Sequence, residues 1–237
     1  MESMKRTQID AAWQGTANCS DCGIRDLVLF ADLTEPDFNL IHLPIDEIAF
    51  DAGATLYSAG GDGTTLYTIR AGLVKLVQYL PDGTQRIVRL LRNGATVGLE
   101  AILGQAYEHT AIALQPTQVC RVPRQVVERL NRETPRLHGQ LMQRWHAALR
   151  QADDWLTELS TGKAPQRLAR LMLQLAEADG TVALFSREDV GSMLGITTEH
   201  ASRTVAEFKR NGVITEITTN RYRCDMDQLT AIAAAEY

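Results

Sequence analysis

The sequence has no long hydrophobic run. Although 45% of its 237 residues are hydrophobic, no stretch approaches the ~20 consecutive apolar residues that a membrane-spanning helix needs. The first eight residues, Met1 to Gln8, include charged and polar side chains and lack the apolar stretch of a signal peptide. We therefore expect a cytoplasmic protein. A chain of this length can form one large domain or two smaller ones, each with its own core.

Cysteine is scarce, and the four residues of this type are Cys19, Cys22, Cys120 and Cys224. In a reducing compartment so few cysteines do not predict a framework of structural disulfides, and metal binding or redox chemistry becomes the more informative expectation. The net charge of −5 speaks weakly against nucleic-acid binding by the surface as a whole, but one local basic patch is sufficient for it.

Motifs that would indicate an enzyme are also missing. The chain has no nucleophile elbow, phosphate-binding loop or zinc-binding helix. A metal-dependent enzyme of the cupin type would need clustered histidines and carboxylates on neighbouring strands. No His-x-His pair occurs, and only the first two of the five histidines fall in or near the β-rich part: His42, His109, His138, His146 and His200. We therefore predict that the chain is not an enzyme.

Short strands separated by turn signals fill the stretch from about Ile45 to Val122. Aspartate–glycine and glycine-rich turns separate alternating runs at residues 66–69, 74–79 and 86–91. Many short strands at regular spacing predict an antiparallel β-barrel or sandwich.

A heptad of apolar residues comes after Pro123, in a region whose pattern is helical. The residues are spaced 4, 3, 4 and 3 apart: Trp145, Leu149, Ala152, Leu156 and Leu159. This stripe could pack against the chain's own β-rich part. However, the rest of the helix surface is largely polar, and the helix links the β-rich part to the C-terminal third of the chain. We therefore predict a dimerisation seam, with a hinge after it at residues 161–165.

Beyond the hinge, the pattern indicates a helix-turn-helix. Ser186 is placed to cap a first helix, with Asp189 at the capping-box position, and Gly195 ends that helix. Thr197 or Thr198 is placed to cap a second helix, with Ala201, Val205 and Phe208 facing inward. Two short helices joined by a glycine-containing turn are typical of DNA-binding domains.

The outward face of the second helix carries side chains that can read DNA. Arg203 can pair bidentately with guanine, Glu199 can accept a hydrogen bond from a cytosine amino group, and Ser202 can bond to either partner. We predict DNA contacts from Thr197, Thr198, Glu199, Ser202, Arg203 and Lys209, with phosphate contacts around a following wing from Arg210, Arg221 and Arg223. The alternative is a solvated, charged helix in a generic helical domain.

With these residues in place, the chain resembles the Crp–Fnr family of bacterial transcription regulators from about Asp21 to Leu229. The strongest motif is Gly-Ile-Thr-Thr-Glu-His-Ala-Ser-Arg at 195–203, followed by Phe208 and by Asn-Gly-Val-Ile at 211–214. The resemblance implies an α+β chain with a cyclic-nucleotide-binding-like jelly roll, a long dimerisation helix and a C-terminal winged helix-turn-helix. It also implies a homodimer that binds a palindromic TTGAT-like operator and contacts RNA polymerase.

The resemblance divides the chain into four segments. We predict an N-terminal cysteine-containing segment, a β-barrel sensor domain, a dimerisation helix and a winged helix-turn-helix domain, at residues 1–28, 29–134, 135–162 and 163–237.

The resemblance also bears on the effector. Members that bind cyclic AMP carry Gly-Glu-Leu, whose carboxylate holds the ribose, and a later Arg-Ser/Thr-Ala, whose arginine neutralises the phosphate. Here these motifs read Gly98-Leu99-Glu100 and His109-Thr110-Ala111. The acid is displaced by one residue, and histidine is a poor substitute for a fork-shaped permanent cation, so cyclic-nucleotide sensing is disfavoured. Gly98, Glu100, His109 and Thr110 are our candidates for an effector pocket.

Three cysteines resemble the Fnr-type ligands of a four-iron four-sulfur cluster, which normally takes four thiolates: Cys19, Cys22 and Cys120. Val28 stands where the family has a further N-terminal cysteine. Asp21 or Asp26 could supply an oxygen ligand in its place.

This arrangement predicts a regulator that responds to oxygen, nitric oxide or redox state. The alternatives are a thiol–disulfide switch, another effector such as haem, a small ligand or a cyclic nucleotide, and silent cysteines with constitutive DNA binding. Cys224 falls in the DNA-binding domain, where we expect it to be a packed small hydrophobe.

Overall fold

The computed structural model describes residues 31, 33–38, 41, 43 and 45–235. In this part of the chain, no helix combines the length and the apolar character needed to span a membrane. The predictions made for the N-terminal segment and for one histidine concern positions outside the described residues, namely Cys19, Asp21, Cys22, Asp26, Val28 and His42.

The first part of the chain folds into two antiparallel sheets of four strands each. A short helix, α1 (Glu35–Phe38), precedes them, and the strands are β1 (Asp46–Phe50), β2 (Thr55–Tyr57), β3 (Thr65–Ala71), β4 (Val74–Tyr79), β5 (Gln85–Leu91), β6 (Thr96–Val97), β7 (Thr110–Ala113) and β8 (Thr117–Pro123). One sheet has the order β1-β8-β3-β6 and the other β2-β7-β4-β5. A 3₁₀ helix, Leu99–Leu103, lies between β6 and β7 in the chain. The predicted antiparallel jelly roll is confirmed.

Alternation along the strands gives the first sheet a buried face. Leu66 and Ile69 of β3 are fully buried, and Val119 and Val122 of β8 are buried with them. Leu66 lies opposite Val122 in the register, and Ile69 lies opposite Val119. Because cross-strand neighbours on one face pack together, these residues form part of a single core.

The turn between β3 and β4 requires glycine at position 72. The backbone of Gly72 has a φ of +105°. A Cβ at this position would clash with Thr117 Oγ1 and would lie 2.7 Å from the carbonyl oxygen of Pro116. Both the backbone conformation and the crowding exclude other residues.

Two helices follow β8. The first, α2 (Arg124–Glu133), buries its apolar face. The second, α3 (Pro135–Asp154), has 20 residues and is therefore about 30 Å long. It continues directly into a π-helical segment, Trp155–Leu159. Because a π-helix has more residues per turn than an α-helix, a heptad spacing loses its face by the end of this segment.

The C-terminal part of the chain confirms the predicted winged helix-turn-helix. Its elements are α4 (Ala164–Leu175), β9 (Thr181–Ala183), α5 (Arg187–Leu194), α6 (Thr198–Arg210), β10 (Ile214–Thr218), β11 (Arg221–Cys224) and α7 (Met226–Ala234). The three strands form one sheet in the order β10-β11-β9. Fully buried side chains from the helices and the sheet make its core: Leu168, Leu171, Met172, Met193 and Tyr222.

The described residues separate into two compact units. One consists of the residues up to Gln78 together with Arg89–Leu149, and the other consists of Tyr79–Val88 together with the residues from Arg150 onward. The division falls inside α3, whereas the segments predicted from the sequence begin at residues 135 and 163.

Candidate nucleic-acid interface

The first helix of the helix-turn-helix, α5, has the predicted cap. The Ser186 hydroxyl accepts a hydrogen bond from the Asp189 N–H at 3.0 Å. The same hydroxyl donates to the Asp189 carboxylate at 2.9 Å. Gly195 follows the helix with a φ of 66°, in the left-handed region. A capped start and a glycine end therefore fix the length of this helix.

The turn after α5 packs closely against Gly191. A Cβ on this buried glycine would lie 2.7 Å from the Ile196 carbonyl oxygen and 3.3 Å from the Thr198 nitrogen. The Ile196 N–H donates to the Gly191 carbonyl at 3.1 Å. Gly191 was not predicted as a functional residue from the sequence; the signal for it was a glycine inside a helical pattern, which often marks close packing.

The second helix, α6, begins at the cap that its sequence indicates. The Thr197 hydroxyl accepts a hydrogen bond from the His200 N–H at 3.1 Å, so Thr197, rather than Thr198, is the N-cap. Ala201, Val205 and Phe208 are buried, as predicted. These contacts orient the helix, because its apolar side is held in the core of its own unit.

The opposite side of α6 presents what we call the reading face: Thr198, Glu199, Ser202 and Arg203. All four residues are exposed. Arg203 Nη2 lies 2.7 Å from Glu199 Oε1, and the two side chains are 68% and 83% exposed. An ion pair this exposed contributes little to folding. The pair does, however, hold side by side, one helical turn apart, the two side chains whose chemistry is best suited to reading bases.

The wing lies directly after α6 in the chain. Its strands β10 and β11 are joined by a turn in which Asn220 has a φ of 60°. Lys209, near the end of α6, forms an ion pair with Glu216 of β10. The hydrogen bond and the charge of Glu216 raise the pKa of Lys209. Because this lysine is held by Glu216, it presents less free charge than the sequence suggests.

The three arginines predicted around the wing differ in their surroundings. Arg210 and Arg223 are exposed. Arg221 Nη2 lies 3.2 Å from the Glu177 carboxylate and 3.2 Å from the Thr181 hydroxyl. Arg221 is therefore already engaged within its own unit.

Arg187 fastens α5 to the wing, and sequence reasoning did not identify it. Its Nη2 donates to the Tyr222 hydroxyl at 2.7 Å, and its guanidinium carbon lies 5.9 Å from the centroid of the Tyr222 ring. Tyr222 is fully buried in β11. The pair satisfies a hydroxyl that would otherwise be buried without a partner.

Most of the predicted dimerisation residues are accessible in the single chain. Leu149 is 60% exposed and Leu156 is 62% exposed, while Trp145 and Ala152 are half-buried. Met142, which the sequence analysis did not include, is 50% exposed and continues the heptad by three residues towards the N-terminus.

Leu159 does not belong to this exposed stripe. It is fully buried within its own chain, in the π-helical segment that contacts α4. We therefore define the apolar stripe of α3 as Met142, Trp145, Leu149 and Ala152 of that helix, together with Leu156 in the first turn of the π-helical segment.

Two of the candidate effector-pocket residues accept hydrogen bonds from backbone groups of other residues. The Glu100 carboxylate accepts the Glu108 N–H at 3.2 Å. The Thr110 hydroxyl accepts the Ala59 N–H at 3.0 Å. A Cβ on Gly98 would lie 3.0 Å from the ring of Tyr107. Gly98 and Tyr107 therefore lie in direct contact, a neighbour that sequence reasoning missed.

Three aromatic rings form a cluster beside these residues, which we call the tyrosine stack: Tyr57, Tyr67 and Tyr107. The ring centroids of Tyr57 and Tyr107 are 4.0 Å apart, and those of Tyr57 and Tyr67 are 5.9 Å apart. The Tyr107 hydroxyl donates to the Thr65 carbonyl at 2.7 Å. Burial raises the pKa of Tyr107 to about 12. The stack is thus an uncharged, tightly packed part of the fold.

His109 stands where cyclic-nucleotide binders carry their arginine. Burial lowers its pKa, and the charge of Arg89 lowers it further, while Glu100 and Glu108 act in the opposite direction. A pKa below the ordinary value of ~6.5 makes the imidazole neutral at physiological pH. This position therefore supplies no permanent cation for a cyclic phosphate.

The two described cysteines have different environments. Cys120 is half-buried in β8, opposite Thr68 of β3 and Glu47 of β1. Cys224 is buried, and its burial raises the pKa of its thiol to about 11. Among the described residues, no group of three or more histidines, cysteines and carboxylates is placed to hold a metal ion. Cys19 and Cys22 lie outside the described residues.

Two family models match the chain, one for each predicted functional part. The cyclic nucleotide-binding domain matches residues 47–133, and the Crp-like helix-turn-helix domain matches residues 166–232.

Curated relatives cover most of the chain. The chain is 28% identical over 206 residues to the fumarate and nitrate reduction regulatory protein of Escherichia coli K12, covering 83% of this chain and 82% of the relative. It is 27% identical over 233 residues to the transcriptional activator protein anr of Pseudomonas aeruginosa, covering 93% of this chain and 94% of the relative.

Solved structures share the fold. FixK2 from Bradyrhizobium japonicum superposes with a TM-score of 0.73 at 24% identity, covering 82% of this chain and 100% of that one. A CRP-family transcriptional regulator from Thermus thermophilus gives a TM-score of 0.70 at 25% identity, covering 79% of this chain and 97% of that one.

Proposed function

Because this chain belongs to the Crp–Fnr family of DNA-binding transcription regulators, and not to an enzyme family, we propose that it binds a palindromic TTGAT-like operator as a homodimer. On this proposal it acts in the bacterial cytoplasm and contacts RNA polymerase from its operator. The observation that carries the proposal is the reading face of α6.

The chemistry of the reading face suits a TTGAT-like half-site. The guanidinium of Arg203 can donate two hydrogen bonds to the guanine O6 and N7 atoms. The Glu199 carboxylate can accept from the amino group of a cytosine, and Ser202 can either donate or accept. Arg210 and Arg223 are exposed near the wing and supply phosphate contacts, which position the protein without reading sequence.

The test is operator binding by wild-type protein and by Arg203→Ala, measured by fluorescence anisotropy on a palindromic probe and on probes with single base-pair changes. Losing one bidentate pair costs about 1–3 kcal/mol of discrimination per half-site. We expect Arg203→Ala to bind more weakly and to lose its preference at the guanine alone.

Arg132→Ala is the matched control, since Arg132 is an exposed arginine of α2 outside the reading face. It should leave both affinity and base preference unchanged. If Arg203→Ala kept the wild-type base preference, the assignment of the reading face would be wrong.

The homodimer is supported by the apolar stripe of α3. Met142, Leu149 and Leu156 are each at least half exposed and recur every seven residues. Heptad spacing of this kind forms the seam between two packed helices. A second copy of the same helix would cover the stripe.

Sedimentation velocity on the double variant Leu149→Glu/Leu156→Glu tests the dimer. We expect the wild type to sediment as a dimer and the variant as a monomer, because four like charges would face each other across the seam. Ala147→Glu places one acid at an exposed position of the same helix but off the stripe, and should remain dimeric. A dimer that survives the double variant would require another interface.

For the signal, we propose that Cys19, Cys22 and Cys120 make operator binding respond to oxygen, nitric oxide or redox state. Only Cys19, Cys22 and Cys120 match the cluster pattern, and Cys224 is buried in β11 of the winged helix-turn-helix, so an all-thiolate four-iron four-sulfur cluster lacks its fourth ligand. A cluster here needs an oxygen ligand such as Asp21 or Asp26 in place of the fourth thiolate.

Anaerobic purification, with a visible spectrum and assays for iron and acid-labile sulfide, distinguishes the possible signals. Iron, sulfide and a visible band lost in air would indicate a cluster, whereas a metal-free protein whose operator binding changes with thiol oxidation would indicate a disulfide switch. Cys120→Ser should abolish either response, and Cys224→Ser should abolish neither. Operator binding that is identical in air, under anaerobic conditions and after thiol oxidation would contradict redox sensing and point to haem, a small ligand or constitutive binding.

A further inference from the structure

We propose that Arg167 and Arg170 of α4, together the arginine clamp, determine which half-site spacing the dimer accepts. The inference rests on the proposed binding of a dimer to a two-part operator. The clamp joins the end of the stripe-bearing helix to the turn that precedes the reading helix, and all its contacts lie within the second unit.

Arg170 donates hydrogen bonds to three carbonyl groups from two separate parts of the second unit. One of its Nη atoms donates to the carbonyl oxygens of Glu158 and Thr161, each at 3.0 Å. Its Nε donates to the Ala233 carbonyl at 3.0 Å. The first two carbonyls belong to the end of the π-helical segment and its exit, and the third belongs to the last turn of α7.

Arg167, one helical turn earlier, joins the hinge to the helix-turn-helix. Its Nε donates to the Gly162 carbonyl at 2.8 Å, and one Nη atom donates to the Leu194 carbonyl at 2.9 Å. Leu194 is the last residue of α5, and Gly195 begins the turn that leads to the reading face. One guanidinium therefore contacts both the hinge and the turn.

A buried glutamine supports the clamp at the hinge. Gln166 is 5% exposed; its side-chain oxygen accepts the Lys163 N–H at 2.6 Å, and its amide donates to the Ala235 carbonyl at 2.6 Å. A Cβ on Gly162 would lie 2.7 Å from the Gln166 oxygen, and Gly162 has a φ of +86°. The hinge is thus held in one conformation by side chains of α4.

These contacts have a common electrostatic basis. The last carbonyls of a helix lack partners within the helix and carry partial negative charge. The ends of the π-helical segment, α5 and α7 all present such carbonyls to the two arginines. A guanidinium satisfies several acceptors at once in a fixed planar fork, which a lysine ammonium cannot do.

The clamp also has a route to the proposed dimer seam. Trp155 is 8% exposed and Leu159 is fully buried, so the π-helical segment is anchored on the inside. Leu156, between them, is 62% exposed on the apolar stripe. If the two paired helices rotate in the dimer, the carbonyl groups bound by Arg170 move with them, and Arg170 transmits this movement to α4. Arg167, on the same helix, then transmits it to the Leu194 carbonyl at the end of α5. Fixed geometry along this path gives the two reading faces one preferred separation.

The experiment measures spacing discrimination in the full-length protein. Palindromic probes carry the two half-sites at the optimal centre-to-centre distance, or with one or two base pairs inserted or removed. Binding both half-sites at once raises the affinity about 100-fold or more, and this gain is lost when the spacing prevents simultaneous binding. We expect the wild type to lose on the order of 100-fold on misspaced probes, and Arg167→Gln or Arg170→Gln to lose less than about tenfold.

A probe with a single half-site separates a positioning role from a structural one. The clamp variants should bind it with wild-type affinity and base preference, because the reading face itself is unchanged. If the glutamine variants do not fold, Arg167→Lys and Arg170→Lys replace them in the test. These variants keep the charge but lose the planar fork of donors, and they should show reduced spacing discrimination. Arg132→Gln is the control and should discriminate like the wild type.

The outcomes separate the two proposals. Folded clamp variants with wild-type spacing discrimination would overturn the clamp, as would an equal loss of affinity on all probes. A wild-type protein with no preference for two half-sites over one would overturn the proposed dimeric operator binding instead.

Discussion

The polar groups on the reading face of α6 and those around the tyrosine stack of the first unit differ in their hydrogen-bond partners. On α6, Glu199 and Arg203 are exposed and bonded only to each other across one helical turn. Around the stack, the Tyr107 hydroxyl, the Glu100 carboxylate and the Thr110 hydroxyl each bond to nearby backbone. The first region keeps its hydrogen-bonding capacity available for a partner, whereas the second uses it to hold its own fold.

A family match therefore does not carry the same information in both regions. The cyclic nucleotide-binding domain model covers the sheets, yet position 109 carries a histidine and the Glu100 carboxylate accepts the Glu108 N–H. The helix-turn-helix model covers α5 and α6, and there Glu199 and Arg203 are exposed. The match in the first unit is one of fold, whereas in the second unit exposed polar side chains accompany it.

Tyr107→Ala should have the largest effect of the substitutions in the two regions. Removing a buried aromatic ring costs about 3–5 kcal/mol, and the stack loses its 4.0 Å partner. We expect a large fall in the free energy of unfolding, measured with urea, and unchanged operator affinity for the protein that remains folded. Tyr79→Ala is the control, since Tyr79 is 57% exposed. A near-neutral Tyr107→Ala would mean that the stack does not hold the fold.

Gly191→Ala should have the next largest effect, this time in the second unit. Its Cβ would lie 2.7 Å from the Ile196 carbonyl oxygen, and overpacking of this kind costs about 1–3 kcal/mol. Because the strain falls on the turn before α6, operator affinity should fall together with stability. Gly139→Ala is matched: no atom lies within 4 Å of its Cβ, and alanine there should stabilise α3 by about 0.5–1 kcal/mol. Gly191→Ala with unchanged operator affinity would argue against a strict geometry for the turn.

The pH dependence of His109 provides a smaller test. Its pKa is lowered in the folded protein, mainly by burial, so the unfolded chain binds its proton more readily. The stability that this neutral histidine contributes is present above the unfolded pKa of ~6.5 and is lost as the pH falls through the folded value. Urea midpoints below and above this pH should therefore differ less in His109→Gln than in the wild type. The same change at exposed His146 is the control, and an identical pH profile for His109→Gln would contradict burial as the cause.

The smallest expected effect is that of cyclic AMP, for which we predict none. A ligand at ~100 times its Kd would raise the free energy of unfolding by about 2.7 kcal/mol. Without an arginine at position 109, and with Glu100 bonded to the Glu108 N–H, we expect no change in the melting temperature. A saturable increase would contradict this expectation, because it would show that the first unit binds the nucleotide.

The second unit was largely predictable from the sequence because its signals are local. The Ser186 and Thr197 caps, Gly195 and the inward residues of α6 follow from spacings of a few residues, and the structure has them where predicted. Gly191 and Arg187 were missed. Each acts through a contact with a neighbouring element that spacing alone does not specify.

The first unit was predictable as a fold but not as a site. Turns and alternation were sufficient to indicate antiparallel sheets. The tyrosine stack joins β2, β3 and the segment before β7, so it depends on a sheet register that no short motif records. Leu159 shows the same limit, since the π-helical segment removes it from a stripe whose heptad spacing it matches.

The ion pair between Glu199 and Arg203 has a consequence for how such a protein would search a genome. Random DNA offers Arg203 phosphates but no matched base pair, so leaving Glu199 there exchanges one partner for another and gains little. A site with a guanine and a cytosine amino group in the right places satisfies both side chains at once. In a chain of net charge −5, which already weakens its hold on arbitrary sequence, the proposed reading face would then lose more affinity at non-matching sites than at the operator.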